Sequence, residues 1–290
     1  MAVACGRCSR FGFGERLSFA GQPLLSLIDK KGFEMTPEQY LNGRKSVVAA
    51  KLFFLPMTVP FTSVAGENRQ AVTNPYDDDL LVRGASTNLS SGPTARFTAI
   101  GGYQWSTDLI PLYAQAGHTA KNNIYVWYKR PVVVVKQQSI TANFVNGSAA
   151  PDAAGRLCFF CELPSTRQEV NVEVSRLFWL NMPFQLNGVA NESVLGTTQP
   201  LDFAVLIWGA MYSGVANTNT LTLFEKNYQW SAEGLPLQFY AGLVANNQPV
   251  LYYPRPYYLP KNVRLRGTLV NAASETANRN LTFLCQALTK

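Results

Sequence analysis

Lys51-Leu52-Phe53-Phe54-Leu55 and Arg176-Leu177-Phe178-Trp179-Leu180 are one stretch written twice, 125 positions apart. The same offset carries Val64-Ala65-Gly66-Glu67 onto Val189-Ala190-Asn191-Glu192 and Tyr103-Gln104-Trp105-Ser106 onto an identical Tyr228-Gln229-Trp230-Ser231. It also carries Arg130-Pro131 onto Arg255-Pro256 and Val145-Asn146 onto Val270-Asn271. One residue then drops out, and Cys161 meets Cys285. From 51 to 146 roughly 28 of about 96 pairs are identical without a gap, which reads as the tandem duplication of one domain.

Each copy is about 115–120 residues, the size of a domain with its own core. Strand signals fill it. Tyr125-Val126-Trp127-Tyr128 and Val132-Val133-Val134-Val135 flank Arg130-Pro131, and Val250-Leu251-Tyr252-Tyr253 precedes Arg255-Pro256. The runs 157–163, 201–209 and 281–288 are also apolar. All are short, β-branched or aromatic, and bounded by Gly, Pro, Asn and Ser; no long stretch repeats its apolar residues at helical spacing. The fold class expected is all-β: two tandem, sequence-related β-sandwich (jelly-roll-like) domains over 46–164 and 165–290. Pro131 and Pro256 cannot donate to a ladder, so a strand start, an edge or a bulge is expected there. Gly84/Gly209 and Gly117/Gly242 mark turns, bulges or close packing, and Trp105/Trp230 and Leu112/Leu237 are core anchors.

Residues 1–45 have no counterpart in the repeat. Thr36-Pro37-Glu38-Gln39 reads as a helix N-terminus, with Gly43 as its stop. The segment is expected to be an arm with one short helix, lying between subunits or facing inward. Its Arg7, Arg10 and Arg16 are candidate inter-subunit contacts.

The chain is 47% hydrophobic and 15% charged, against about 25% charged in a typical soluble domain. That balance suits a surface buried against other subunits. The net charge of +7 favours a polyanion or an anionic membrane face. The basic residues are spread out, without a nucleic-acid motif, so sequence-specific binding is not expected. No apolar run reaches the ~18–20 residues that span a bilayer. The start lacks a signal-peptide pattern, so synthesis and retention in a cytosol are expected. The Asn-X-Ser/Thr matches at Asn88, Asn146, Asn191 and Asn280 are then coincidental.

Chemistry is hard to build from these residues. Cys5/Cys8 and Cys158/Cys161 are two C-x-x-C pairs, the count of a zinc site. The second pair, however, lies in a strand, where residues three apart face opposite ways, and Cys158 has Thr282 as its partner in the other copy. No structural zinc and no cofactor is expected. His118 is the only histidine and aligns with Leu243. Asp77-Asp78-Asp79 reads as a solvated turn, with calcium ligation as the alternative. Walker, Rossmann, H-E-x-x-H and G-x-S-x-G patterns are all missing, so the chain is not expected to be an enzyme. Tyr252, Tyr253, Tyr257 and Tyr258 surround Pro254-Arg255-Pro256 as a candidate surface for a protein or a sugar. Arg130 and Arg255, each beside a Pro, are further candidate contacts.

Tandem sandwiches, low charge, an arm and no catalytic set together resemble a viral coat protein. Residues 46–290 resemble, as architecture, the major capsid proteins of icosahedral internal-membrane viruses, the double and paired jelly-roll lineage. In size and repeat the chain is similar to the larger major capsid protein of membrane-containing Thermus phages. The resemblance implies a virion subunit made in the host cytoplasm. It implies partners that are copies of itself and a second capsid protein, with an internal membrane or genome on the inner face. The alternative is a tandem carbohydrate- or receptor-binding protein, a phage spike or lectin-like module.

Overall fold

The structure is a computed structural model. It describes residues 27–28, 34–35, 46–59, 66–89, 94–98, 105, 108–119, 124–146, 155–172, 177–214, 219–243, 250–272 and 274–288. A two-residue pairing, β1 (Leu27–Ile28) with β2 (Glu34–Met35), precedes the body of the fold. The helix expected near Thr36, and Arg7, Arg10, Arg16, Cys5 and Cys8, lie outside the described residues.

The first half contains β3 (Ser46–Val59), β4 (Gly66–Thr73), β5 (Leu80–Thr87), β6 (Thr94–Thr98) and β7 (Ile110–Pro111). A one-turn helix, α1 (Leu112–Gln115), separates these from β8 (Gly117–His118), β9 (Val126–Val134), β10 (Ser139–Asn146) and β11 (Gly155–Asn171). The second half contains β12 (Leu177–Asn187), β13 (Glu192–Thr197), β14 (Val205–Tyr212), β15 (Thr220–Glu225), β16 (Tyr228–Gln229) and β17 (Leu235–Pro236). A 3-10 turn at Leu237–Phe239 leads to β18 (Gly242–Leu243), β19 (Leu251–Leu259), β20 (Leu265–Asn271) and β21 (Thr276–Ala287).

The chain passes back and forth between two sheets in each half. In the first half one sheet runs β3-β11-β5-β8, with β9 also on β5, and the other runs β4-β10-β6-β7. In the second half the orders are β12-β21-β14-β18, with β19 on β14, and β13-β20-β15-β16, with β17 on β15. The chain is all-β, built as β-sandwiches. Period-2 alternation explains the layering. Phe53, Leu55, Met57, Phe159 and Cys161 face Phe97, Ile140, Ala142 and Phe144 across the first sandwich. Leu180, Met182, Phe184 and Phe283 face Leu221, Leu223, Leu265 and Leu269 across the second.

The 125-residue offset is not uniform in space. Phe97 and Ala95 point into the first core, and their structural counterparts are Leu223 and Leu221, at an offset of 126. No identities occur between the copies from 86 to 102, and a one-residue slip there restores the inward face. Pro131 and Pro256 sit in matching bulges: β5 pairs Val82 with Val132 and Gly84 with Trp127, and β14 pairs Ile207 with Tyr257 and Gly209 with Tyr252. Neither proline owes the ladder a donor at such a site. The boundary expected at 164 falls inside β11, which stays paired with β3 through Asn171↔Ser46 after a register shift between Leu163 and Gln168.

Candidate functional site: a contact between the halves and its exposed counterpart

β3 is buried on both sides of its sheet. Leu52-Phe53-Phe54-Leu55 has no polar alternation, which is how a strand covered on both faces reads. Phe53 and Leu55 enter the first core, while Leu52 and Phe54, with Cys158 and Phe160 from β11, join the second half's core. Phe54 lies parallel to the indole of Trp230, with ring centroids 6.4 Å apart at 9°. It meets Tyr240 edge-on at 4.7 Å.

Polar bonds run alongside this apolar contact. The Phe54 N–H donates to the Trp230 carbonyl at 2.7 Å. The Tyr228 hydroxyl donates to the Leu52 carbonyl at 2.7 Å, and the Tyr125 hydroxyl to the Phe239 carbonyl at 2.9 Å. Arg156 reaches the Gly234 carbonyl at 2.7 Å and the Glu233 carboxylate at 2.9 Å. Burial pushes the Tyr125 and Tyr228 hydroxyls well above their ordinary pKa, so they stay protonated donors. The Lys51 ammonium stands 4.4 Å over the Tyr228 ring.

The same contact holds a buried carboxylate. Glu162 on β11 is fully buried and accepts from Arg83 at 2.7–2.8 Å, from Arg167, and from Arg255 of the second half at 3.3 Å. Burial alone would raise its pKa. The Arg167 hydrogen bond and the charges of Arg83 and Arg255 outweigh that and hold the carboxyl below its usual range.

Beyond this contact, Val47, Ala49 and Val172 pack against Leu206 and Trp208, so the paired ends of β3 and β11 lie on the outer face of the second half's sheet. The rim of that face stays open. Leu177 and Trp179, the counterparts of Leu52 and Phe54, are 49% and 48% exposed.

These placements reassign several expected contacts. Tyr253 and Tyr257 are buried, Tyr257 bonding to Glu225, and Arg255 is engaged by Glu162. Tyr253, against Phe54 and Phe160, and Arg255 serve the contact between the halves, whereas Tyr257 packs on Trp230 and Tyr228 inside the second half's own core. Tyr258 is half-buried against the Val47 and Ala49 cluster. Tyr252 and Arg130 are exposed. Cys158 and Cys161 occupy different hydrophobic clusters, on opposite faces of β11. The Asp77-Asp79 carboxylates bond in turn to the Gln137 amide, Ser165 and the Lys136 N–H, within a turn held by Asn74. His118 meets the Tyr113 ring edge-on at 5.1 Å. Leu177 and Trp179 were not among the expected contacts. The sequence does not separate them from their counterparts, because Leu177-Phe178-Trp179-Leu180 is as unbroken an apolar run as Leu52-Phe53-Phe54-Leu55; only the packing of the halves shows which run is covered.

No family model matches the chain, and a search of curated proteins finds no match either.

Proposed function

We propose that the chain is a structural coat subunit, a major capsid protein that self-assembles into an icosahedral shell and carries out no catalysis. The observation that carries this reading is an unbalanced pair of surfaces. The first half's outer face at Leu52 and Phe54 is covered by the second half, and the matching rim at Leu177 and Trp179 is covered by nothing among the described residues. A chain with one such contact made and its repeat left open is suited to adding further copies.

Further support comes from each half's strand order, in which the first strand pairs with the last and the chain crosses repeatedly between the two sheets, as in a jelly roll. The low charged fraction and the net charge of +7 fit a subunit with broad contacts and an inner face toward a membrane or genome. In this reading the partners are copies of the chain and a second capsid protein, and the location is the virion. The rival reading, a tandem carbohydrate- or receptor-binding protein, needs an exposed tyrosine platform, and the burial of Tyr253 and Tyr257 weighs against it. Negative-stain microscopy and sedimentation of purified protein test the proposal. Shells or curved capsomer arrays are expected, and a chain that stays monomeric at high concentration overturns it.

A further inference from the structure

The contact between the halves is a template for the contact the exposed rim is built to make. β3 and β12 both lie at the edge of their sheets, beside β11 and β21, and the outer edge of β3 makes a single parallel bridge from Phe54 to Ser231 of the second half. Their registers match: Phe54 stands opposite Phe160, and Trp179 opposite Leu284. Phe54 turns its N–H outward to Trp230, so the same register turns the Trp179 N–H outward, where no described residue receives it. An 11-residue edge strand with exposed Leu and Trp is a surface that proteins ordinarily cover.

The complementary surface exists on the first half. Trp230, which receives Phe54, has Trp105 as its counterpart. Trp105 packs on Tyr128 and Phe159 as Trp230 packs on Tyr253 and Phe283, but it remains partly exposed, with no aromatic of the second half against it among the described residues. Gly234, which accepts from Arg156, has the 40%-exposed Leu109 as its counterpart.

We infer that a second copy of this chain docks head-to-tail, its Leu109–Trp105 surface covering the Leu177–Trp179 rim as the second half covers Leu52 and Phe54. This deepens the coat reading and rests on it. The contact is heterologous, using two different patches on each copy, so each copy keeps one free patch after pairing.

Two full-length variants test this by sedimentation velocity across concentration: Trp179→Asp and Leu109→Asp. Both positions are exposed, and an unchanged urea midpoint checks that each variant folds. Each variant alone is expected to associate at least ~30-fold more weakly than wild type, since a central Trp is worth about 2 kcal/mol or more in an interface. Mixed in equal amounts the two should form dimers that grow no further, because each supplies the patch the other lacks. Trp179→Phe, which installs the residue found at position 54, should retain association. The inference is overturned if Trp179→Asp assembles like wild type, or if the mixture fails to pair. Wild-type assembly that ignores both substitutions sinks this contact and leaves the coat reading standing. Mixed dimers from a wild type that forms filaments and never shells would sink the coat reading and leave the contact standing.

Discussion

Phe54 and Trp230 lie in different halves of the chain, yet their rings stack at 6.4 Å while the backbone N–H of one bonds the carbonyl of the other at 2.7 Å. A repeat unit normally owns its core. Here the larger hydrophobic cluster draws Leu52, Phe54, Tyr125, Cys158 and Phe160 out of the first half.

The halves should therefore unfold together. Phe54→Ala is expected to cost about 3–5 kcal/mol, the range for removing a buried aromatic ring. Urea unfolding should show one transition, shifted to lower denaturant. Two transitions with only one displaced would mean that the halves are energetically separate.

Glu162 should govern acid stability. Its carboxyl is held below the ~4.3 of an unfolded glutamate. The stabilisation is thus fully present above about pH 4.3 and is lost as pH falls through the lower folded value. Wild type should lose stability more steeply below pH 4 than Glu162→Gln. At pH 7 that variant should be about 1.5–3 kcal/mol less stable, because the partly buried Arg83 and Arg255 lose the charged acceptor between them. Arg255→Ala should destabilise in the same direction, whereas Arg130→Ala, at an exposed site, should stay within about 0.5 kcal/mol.

Cys158, Cys161 and Cys285 should resist thiol reagents. All three are fully buried, and burial raises each thiol pKa well above the ordinary value. Peptide mapping after alkylation should find them unlabelled in native protein and labelled in urea.

Gly209 and Gly84 should not accept alanine. A Cβ on Gly209 would stand 2.3 Å from the Leu251 carbonyl oxygen, and one on Gly84 2.6 Å from that of Val126. These neighbours are backbone and cannot swing aside. Gly209→Ala should cost about 1–3 kcal/mol, read as a lower thermal midpoint.

The strand content and the sandwich layering were legible because each is written within a few adjacent residues; Pro131 and Pro256 announced a strand start, an edge or a bulge, and the register shifts in β5 and β14 pick the bulge. The slip in β6 was not, since no identity survives there to anchor the register; only the demand that Phe97 and Leu223 both face inward reveals it. Glu162 stands out in the sequence as a charge within an apolar strand. Its partners Arg83, Arg167 and Arg255 are scattered along the chain and meet only once the halves pack. The tyrosine cluster misled because Tyr253 and Tyr257 resemble a surface patch until Trp230 and Tyr228 of the same half, and Phe54 and Phe160 of the other, are packed against them.

The paired ends of β3 and β11 act as a brace. To hinge, the halves would have to pull Val47 and Ala49 away from Trp208 while also separating Phe54 from Trp230. With two anchors set apart on the same two bodies, the angle within one chain is fixed. Any curvature that an assembly of these chains adopts must then come from the joints between copies, and particles of different radius would differ at those joints and not in the shape of the subunit.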